Sequence, residues 1–152
     1  MLQWANSSGN ANEWFVPKTI FDVCFSTYLS KNGFCKNLDP LFLEAVQNAK
    51  ITTIKSDYDG GGASTLYTKF FPLSQTQVFG TIENNIQENV QLSYYQTTET
   101  RIKYFNGYAN DWWLRSPNPE YSHTTHMGSY QGLLQWQMDS ANYGVSLACI
   151  IA

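Results

Sequence analysis

The spacing of apolar residues predicts two amphipathic helices in the first third of the chain. Residues 21–29 carry apolar side chains at helical spacing, with Pro17 in the first turn and Asn32-Gly33 as the stop. A second apolar stripe spans residues 42–49 and follows Asp39 as N-cap. Strand-like alternation dominates the rest of the chain, so we predict an α+β fold.

Short strands and one capped helical turn are predicted in the middle of the chain. The runs at residues 51–54 and 70–73 are rich in β-branched or aromatic side chains, which is typical of strands. Ser74 and Gln77 have the spacing of a capping box, which predicts a helical turn that Gly80 closes.

Turn signals divide the last third into further strands. Asn106-Gly107 predicts a hairpin that joins residues 101–105 to the strand at 112–117. Residues 124–129 and 133–138 are expected to pair around a turn at residues 130–132. The apolar run at residues 144–151 predicts a buried final strand.

The densest apolar segment is Trp-Trp-Leu-Arg-Ser-Pro at residues 112–117. A period of two places Trp112 and Leu114 on one face and Trp113 and Arg115 on the other. A strand that carries large side chains on both faces normally lies in the interior of a protein. Arg115 must then be paired, stacked on an indole or hydrogen-bonded to carbonyls, because a buried guanidinium without partners is too costly.

Composition narrows the class of protein. The 152 residues fit a single domain, 1–152, in which the Asn/Ser/Gly-rich residues 1–12 form a polar arm or loop. A net charge of -3 without a basic stripe argues against nucleic-acid binding. No apolar run is long enough to insert in a membrane, and the start lacks the pattern of a secretory signal.

Four segments in order carry a resemblance to a known family. They are Phe-Pro-Leu-Ser through Val-Phe-Gly at 71–80, Tyr94-Tyr95 followed by Arg-Ile-Lys-Tyr at 101–104, the tryptophan segment at 112–117, and residues 142–150. In this order they resemble a bacterial and phage domain family of unknown function with the Trp-Trp-Leu-Arg-Ser-Pro signature. The last segment departs from the family pattern at Ser146 and Leu147, where a basic residue and a proline are usual.

The resemblance implies a C-type-lectin-like fold, related to phage tropism determinants and to formylglycine-generating enzymes. Such a fold would pack the two N-terminal helices on small antiparallel sheets with long loops. The calcium-binding motifs of true lectins are not carried over, since Asn118-Pro119-Glu120 only reverses the order of one of them, Glu-Pro-Asn. The enzymes' cysteine pair is also missing, because only Cys149 lies in the last part. We therefore expect no metal and no cofactor.

The C-terminal third contains polar and aromatic residues that the alternation does not direct inward. Tyr, His, Asn and Gln provide flat contact area and hydrogen bonds at little rotamer cost, as in recognition surfaces. Trp136 is a stacking platform for a ligand or a core residue, and the sequence leaves both open. The candidate ligand-binding residues are Tyr121, His123, His126, Tyr130, Gln131, Trp136, Gln137, Asn142 and Tyr143.

Other residue patterns are interpreted as structural. Adjacent indoles on opposite faces each fill a layer of core, so Trp112, Trp113, Arg115 and Ser116 are expected to be a structural signature. No Gly-x-Ser-x-Gly elbow is present. His123 and His126 would face opposite sides of a strand, which does not suit a metal site. We predict no catalytic residues.

These observations favour a non-enzymatic binding module on a phage virion or at the bacterial cell surface. Its loops would recognise a host-cell receptor, either a glycan or a protein. The alternative is a structural capsid or tail decoration protein that binds neighbouring virion proteins, and an enzyme ranks third. The lectin-like fold that the resemblance implies pairs its first strand with its last. Because the polar N-terminus makes a poor strand, residues 145–151 would keep an unpaired edge. This predicts a homo-oligomer or a fragment of a longer protein.

Overall fold

The computed structural model of the chain describes residues 2–3, 38–55, 57, 60–82, 85–121, 124–138 and 141–152. The first predicted helix, at residues 17–31, and most of the predicted polar arm lie outside the described residues.

Short strands are the most numerous regular elements among the described residues, with a few short helices between them. This is a mixed α and β architecture in which strands predominate. It agrees with the predicted α+β class. In chain order the elements are β1 (Leu2–Gln3), α1 (Pro40–Ala45), β2 (Ala49–Ile54), β3 (Ala63–Thr68), β4 (Phe71–Pro72), α2 (Gln75–Phe79), α3 (Thr98–Arg101), β5 (Lys103–Phe105), β6 (Tyr108–Asn110), β7 (Trp112–Pro117), β8 (Thr124–Gly128), β9 (Leu134–Met138), β10 (Gly144–Val145) and β11 (Leu147–Ala148), with a 3-10 turn at Ser93–Tyr95.

The tryptophan strand β7 lies in the middle of a five-stranded sheet of order β1-β10-β7-β8-β9. Strands β10 and β7 run parallel, and the other neighbours are antiparallel. Trp113 lies opposite Val145 on one side and Met127 on the other. Three two-stranded sheets, β2–β3, β4–β11 and β5–β6, complete the described architecture.

The two faces of β7 belong to separate parts of the core, as the alternation predicts. Trp112 and Leu114 pack in a cluster with Ile51 and Phe71. Trp113 packs in a second cluster with Met127 and Val145. A side chain at Gly128 would overlap the indole nitrogen of Trp112, so a glycine in β8 allows the large ring to lie against the neighbouring strand.

The predicted capping box at Ser74 and Gln77 and the predicted hairpin of residues 124–138 are confirmed. The Ser74 hydroxyl accepts the Gln77 N–H and the Gln77 side chain accepts the Ser74 N–H, both at 3.1 Å, and Gly80 closes α2 with a φ of 73°. Strands β8 and β9 pair around the turn at residues 130–132, where Gly132 has a φ of 76°.

The second predicted helix is shorter than its apolar stripe indicated. Asp39 caps α1 and Pro40 opens it, but the helix ends at Ala45. Val46 is extended and forms a bridge with Ile151, while Ala49 already belongs to β2. Both side chains are buried in extended backbone, so the pairing of the chain with distant residues overrode the helical spacing.

The hairpin turn at Asn106-Gly107 is present but leads to a different strand. Both residues have positive φ, 51° and 81°, as the two-residue turn requires. They join β5 to β6, and β6 ends at Asn110, before the tryptophan strand begins. The prediction that this turn pairs residues 101–105 with β7 is therefore wrong.

The predicted final strand is divided between two sheets. Gly144–Val145 pairs with both β1 and β7, whereas Leu147–Ala148 pairs with β4. Ile150 and Ile151 are 50% and 59% exposed, so the end of this run is not buried. Leu2–Gln3 covers the outer edge of β10, so the unpaired edge predicted for residues 145–151 is wrong at Val145. Among the described residues, Leu147–Ala148 pairs with β4 alone. The homo-oligomer or fragment stays a prediction.

Candidate functional site

The buried Arg115 side chain lies at the polar centre of the molecule. Its guanidinium donates to the carbonyl oxygens of Pro72 and Thr52, both at 3.0 Å. It also donates to the side-chain oxygens of Gln77 at 2.5 Å and Asn89 at 2.9 Å. The acceptors come from four separate segments, so one planar donor group ties them together. These are the carbonyl partners that burial of this residue requires.

Burial also changes the proton affinity of Arg115. Loss of water lowers the pKa of its guanidinium from its ordinary value to about 10, and the charge of Glu88 acts in the opposite direction. The side chain remains a cation at neutral pH.

Glu88 is the buried acidic partner in this centre, at 1% exposure. Its carboxylate accepts the Thr53 hydroxyl and the Ile54 N–H, both at 2.8 Å, and the Ser116 hydroxyl. Ser116 in turn accepts the N–H of Gln75 at 2.9 Å. A buried charge is tolerated when its hydrogen bonds are satisfied internally, as here.

The Trp-Trp-Leu-Arg-Ser-Pro segment thus faces inward. Trp112, Trp113, Arg115 and Ser116 are at most 6% exposed. The indole N–H of Trp112 donates to the Arg101 carbonyl oxygen at 3.0 Å. This burial supports the structural interpretation of the four residues.

An open cleft lies beside the start of β7. Its volume is about 240 Å³, and it is bounded by the β5–β6 hairpin, the β8–β9 turn and the segment that enters β10. The described residues that line it are Phe105, Ala109, Asn110, Asp111, Tyr130, Asn142, Tyr143 and Gly144.

Hydrogen bonds and ring packing connect the walls of the cleft to the start of β7. The Asp111 carboxylate accepts the backbone N–H of Tyr130 at 2.7 Å, and its backbone carbonyl accepts the N–H of Gly144 at 2.9 Å. The ring of Tyr143 packs on Trp113, with centroids 5.0 Å apart. Asp111 therefore holds both loops at the position where β7 and β10 begin to run in parallel.

Three predicted recognition residues meet in this cleft: Tyr130, Asn142 and Tyr143. Tyr143 is only partly exposed, while Tyr130 and Asn142 are exposed. Gln131 is exposed in the same turn, but it is not among the lining residues. The sequence interpretation missed the hairpin side of the cleft, which contributes Phe105, Asn110 and Asp111. The available signal was the polar pair Asn110-Asp111 directly before a buried strand.

Tyr121 and Trp136 form a separate exposed aromatic pair. Their rings are stacked, with centroids 5.4 Å apart and planes 19° from parallel, and the side chains are 52% and 50% exposed. Gln137 is exposed next to Trp136 on β9. Of the two interpretations of Trp136, this position agrees with the exposed platform rather than the core residue.

His126 is buried, which corrects the prediction that it does not face inward. It is 5% exposed, and its Nδ1 lies 3.3 Å from the Ser116 carbonyl oxygen. The reason is that β8 is an interior strand between β7 and β9 and that all five of its residues are buried, so side chains on both of its faces are covered. His123 lies outside the described residues.

Two further structural features bear on the class of site. Within residues 38–55 and the later described segments, no three His, Cys, Asp or Glu side chains form a group that could hold a metal ion. None of the described helices has the length and apolar character needed to cross a membrane.

The fold and the enclosed Arg115 centre define a strand-rich α+β domain with an open cleft at one end of its central sheet. The profile of a family described as Domain of unknown function (DUF6273) matches residues 3–152, and the chain belongs to that family. Comparisons with curated proteins and with solved structures returned no match.

Proposed function

We propose that this domain is a non-enzymatic binding module that recognises a receptor on a host cell, a glycan or a protein, through its C-terminal loops. The observation that carries this proposal is the cleft in which Tyr130, Asn142 and Tyr143 meet. Loops whose conformation is fixed before the ligand binds lose little conformational entropy on binding. A phage virion or a bacterial surface is the proposed location.

We also propose the finer fold assignment, a C-type-lectin-like domain. The pairing of the N-terminal strand β1 with the C-terminal strand β10, antiparallel and with Leu2 opposite Val145, supports it. The long segments between short strands are a second point of agreement. In such an arrangement a fixed sheet presents variable loops at one end.

The cleft has the composition of a recognition site rather than of a packing defect. It combines the aromatic residues Phe105, Tyr130 and Tyr143 with the polar side chains of Asn110 and Asp111. Aromatic residues supply contact area, and amides and carboxylates fix the orientation of a ligand. Of the four signature residues, Trp113 packs against the Tyr143 ring of this cleft.

The alternative function, a capsid or tail decoration protein, is supported by exposed apolar residues in β9 and directly before it. Leu133, Trp136 and Met138 are 49%, 50% and 55% exposed, which gives apolar area to a neighbouring protein. Under this alternative, Trp136→Ala would abolish binding to virion proteins while Tyr130→Ala would not.

Cell binding tests the receptor proposal. Fluorescently labelled domain is incubated with a panel of Gram-positive gut bacteria, and bound protein is measured by flow cytometry. We expect Tyr130→Ala to reduce binding about tenfold, the size typical of one aromatic contact. Tyr67→Ala is the matched control, since Tyr67 is 68% exposed on β3 and does not line the cleft.

Circular dichroism should show the same fold for both variants, because the Tyr130 backbone N–H that bonds Asp111 is retained. The proposal is wrong if wild type binds no cell surface, or if both variants bind as wild type does.

A further inference from the structure

We propose that the cleft takes an organic ammonium group, either a primary amine or a quaternary ammonium. This inference rests on the proposed function, because it names the ligand chemistry of the same site. It follows from the charge of the cleft, from its rings and from its size.

The charged group of the cleft is the carboxylate of Asp111. Asp111 is the one charged side chain among the described lining residues, and it is partly buried. One of its oxygens accepts the Tyr130 N–H, and no described residue forms an ion pair with it. A carboxylate that is shielded from water and lacks a cation favours a cationic ligand and repels an anionic one.

The rings of the cleft suit the same ligand. Phe105, Tyr130 and Tyr143 line it with Asp111, and the faces of aromatic rings attract ammonium groups. A neutral hydroxylated ligand could use the amides of the cleft, but it would leave the carboxylate charge without an opposite charge.

The same protein already holds one ammonium in this way. The Lys103 Nζ lies 4.7 Å from the ring centroid of Tyr95 and 5.4 Å from that of Trp112, and it donates to the Tyr95 hydroxyl at 2.8 Å. Lys103 is opposite Asn110 in the β5–β6 ladder, yet its charge is engaged in this cluster. It is therefore not the counter-ion of Asp111.

The size of the cleft selects a head group rather than a whole molecule. Its volume of about 240 Å³ lies below the roughly 300–1,000 Å³ of sites for drug-sized ligands. The remainder of the ligand would extend into solvent. An ammonium of this kind can belong to a lysine side chain of a receptor protein or to an amine-bearing polymer or lipid of the cell surface.

NMR titration of the full chain tests the inference. The probes are tetramethylammonium and ethylammonium chlorides, with tert-butanol as a neutral analogue, methyl glucoside as a neutral sugar and sodium chloride as the salt control. We expect saturable shifts of the Asp111, Tyr130 and Gly144 amide signals with an ammonium probe only. Preference for the primary probe indicates a lysine or amine source, and preference for the quaternary probe indicates a trimethylammonium head group.

Two variants and one control complete the test. Asp111→Asn keeps an oxygen for the Tyr130 N–H but removes the charge, and we expect about tenfold weaker ammonium binding. Tyr130→Leu removes a ring and keeps the backbone N–H, and we expect a several-fold loss. Tyr67→Ala should bind as wild type does. Unchanged amide signals of the β2–β3 sheet in each variant would show that the fold is retained.

The inference is overturned if tert-butanol or methyl glucoside shifts the same signals as strongly, if Asp111→Asn binds ammonium as wild type does, or if no probe binds. Cell binding by wild type without ammonium binding would overturn this inference and leave the receptor proposal standing. Ammonium binding without cell binding would overturn the receptor proposal and leave the ammonium inference standing.

Discussion

At the scale of single residues, Arg115 shows why a charged side chain can be part of a core. Its guanidinium has five N–H donors in a fixed plane, and the surrounding carbonyl and amide oxygens lie where those donors point. Removal of one such donor leaves acceptors that are buried without water, which is more costly than the loss of the bond itself.

Arg115→Lys tests this arrangement, because lysine keeps the charge but not the planar fork. The ammonium can reach only some of the four acceptors, and we expect the free energy of unfolding to fall by about 3 kcal/mol or more. Urea denaturation followed by tryptophan fluorescence would measure it. A loss below about 1 kcal/mol would show that the charge alone matters. Arg101→Lys is a matched control, since Arg101 is only partly buried.

Residue patterns that act locally could be predicted from the sequence. The Ser74–Gln77 capping box and the opposite directions of Trp112 and Trp113 need only neighbouring residues, and both are present. The inward direction of His126 could not be predicted. It depends on the flanking strands β7 and β9 rather than on the residues beside it.

At the scale of elements, the sequence predicted strands better than their partners. The β8–β9 hairpin is local and was predicted with its turn. The pairing of β10 with β7 and of β11 with β4 joins residues far apart in the chain, and no local pattern encodes it. The cleft was predicted only in part for the same reason, since Asp111, which follows the β5–β6 hairpin, is distant in sequence from Tyr143.

The short helix α3 gives a prediction for the effect of pH. The pKa of Glu99 is lowered from its ordinary 4.5 by a backbone hydrogen bond and by the Thr97 side chain. A lowered pKa in the folded state contributes stability above the unfolded-state pKa, and this contribution is lost as pH falls through the folded-state pKa. Glu99→Gln should therefore be less stable than wild type at neutral pH.

The difference between the two proteins should shrink as pH falls through the folded-state pKa of Glu99, and it should vanish once that carboxyl is protonated in both the folded and the unfolded state. Urea midpoints measured across this range would check it. Thr97→Ala removes one of the partners and should reduce the pH dependence without abolishing it. A constant difference between wild type and Glu99→Gln at every pH would contradict the assignment.

At the scale of the whole molecule, two strands far apart in the chain, β1 and β10, pair in the central sheet. Leu2–Gln3 covers the outer edge of Gly144–Val145, and that strand lies against the tryptophan strand. Exposed edges pair with other chains, and a two-residue edge strand such as β1 offers few free backbone groups, so we expect it to limit self-association.

Deletion of residues 1–3 should therefore lower the free energy of unfolding by about 1–3 kcal/mol, from the loss of a few ladder hydrogen bonds. The shortened chain should also associate in a concentration-dependent way. Light scattering and urea denaturation would measure the two effects. Replacement of residues 1–3 by three alanines is the control, since it keeps the backbone pairing. Equal behaviour of the deletion and the wild type would contradict a protective role for β1.

The hydrogen bonds of Arg115 have a consequence for the rate of folding. They join residues separated by 63, 43, 38 and 26 positions in the chain. Contacts between distant residues require long loops to close first, and proteins rich in them fold slowly. Until all four segments come together, water supplies the hydrogen bonds of the guanidinium and of its acceptors. We therefore expect the Arg115 centre to form late in folding, after these distant segments have met.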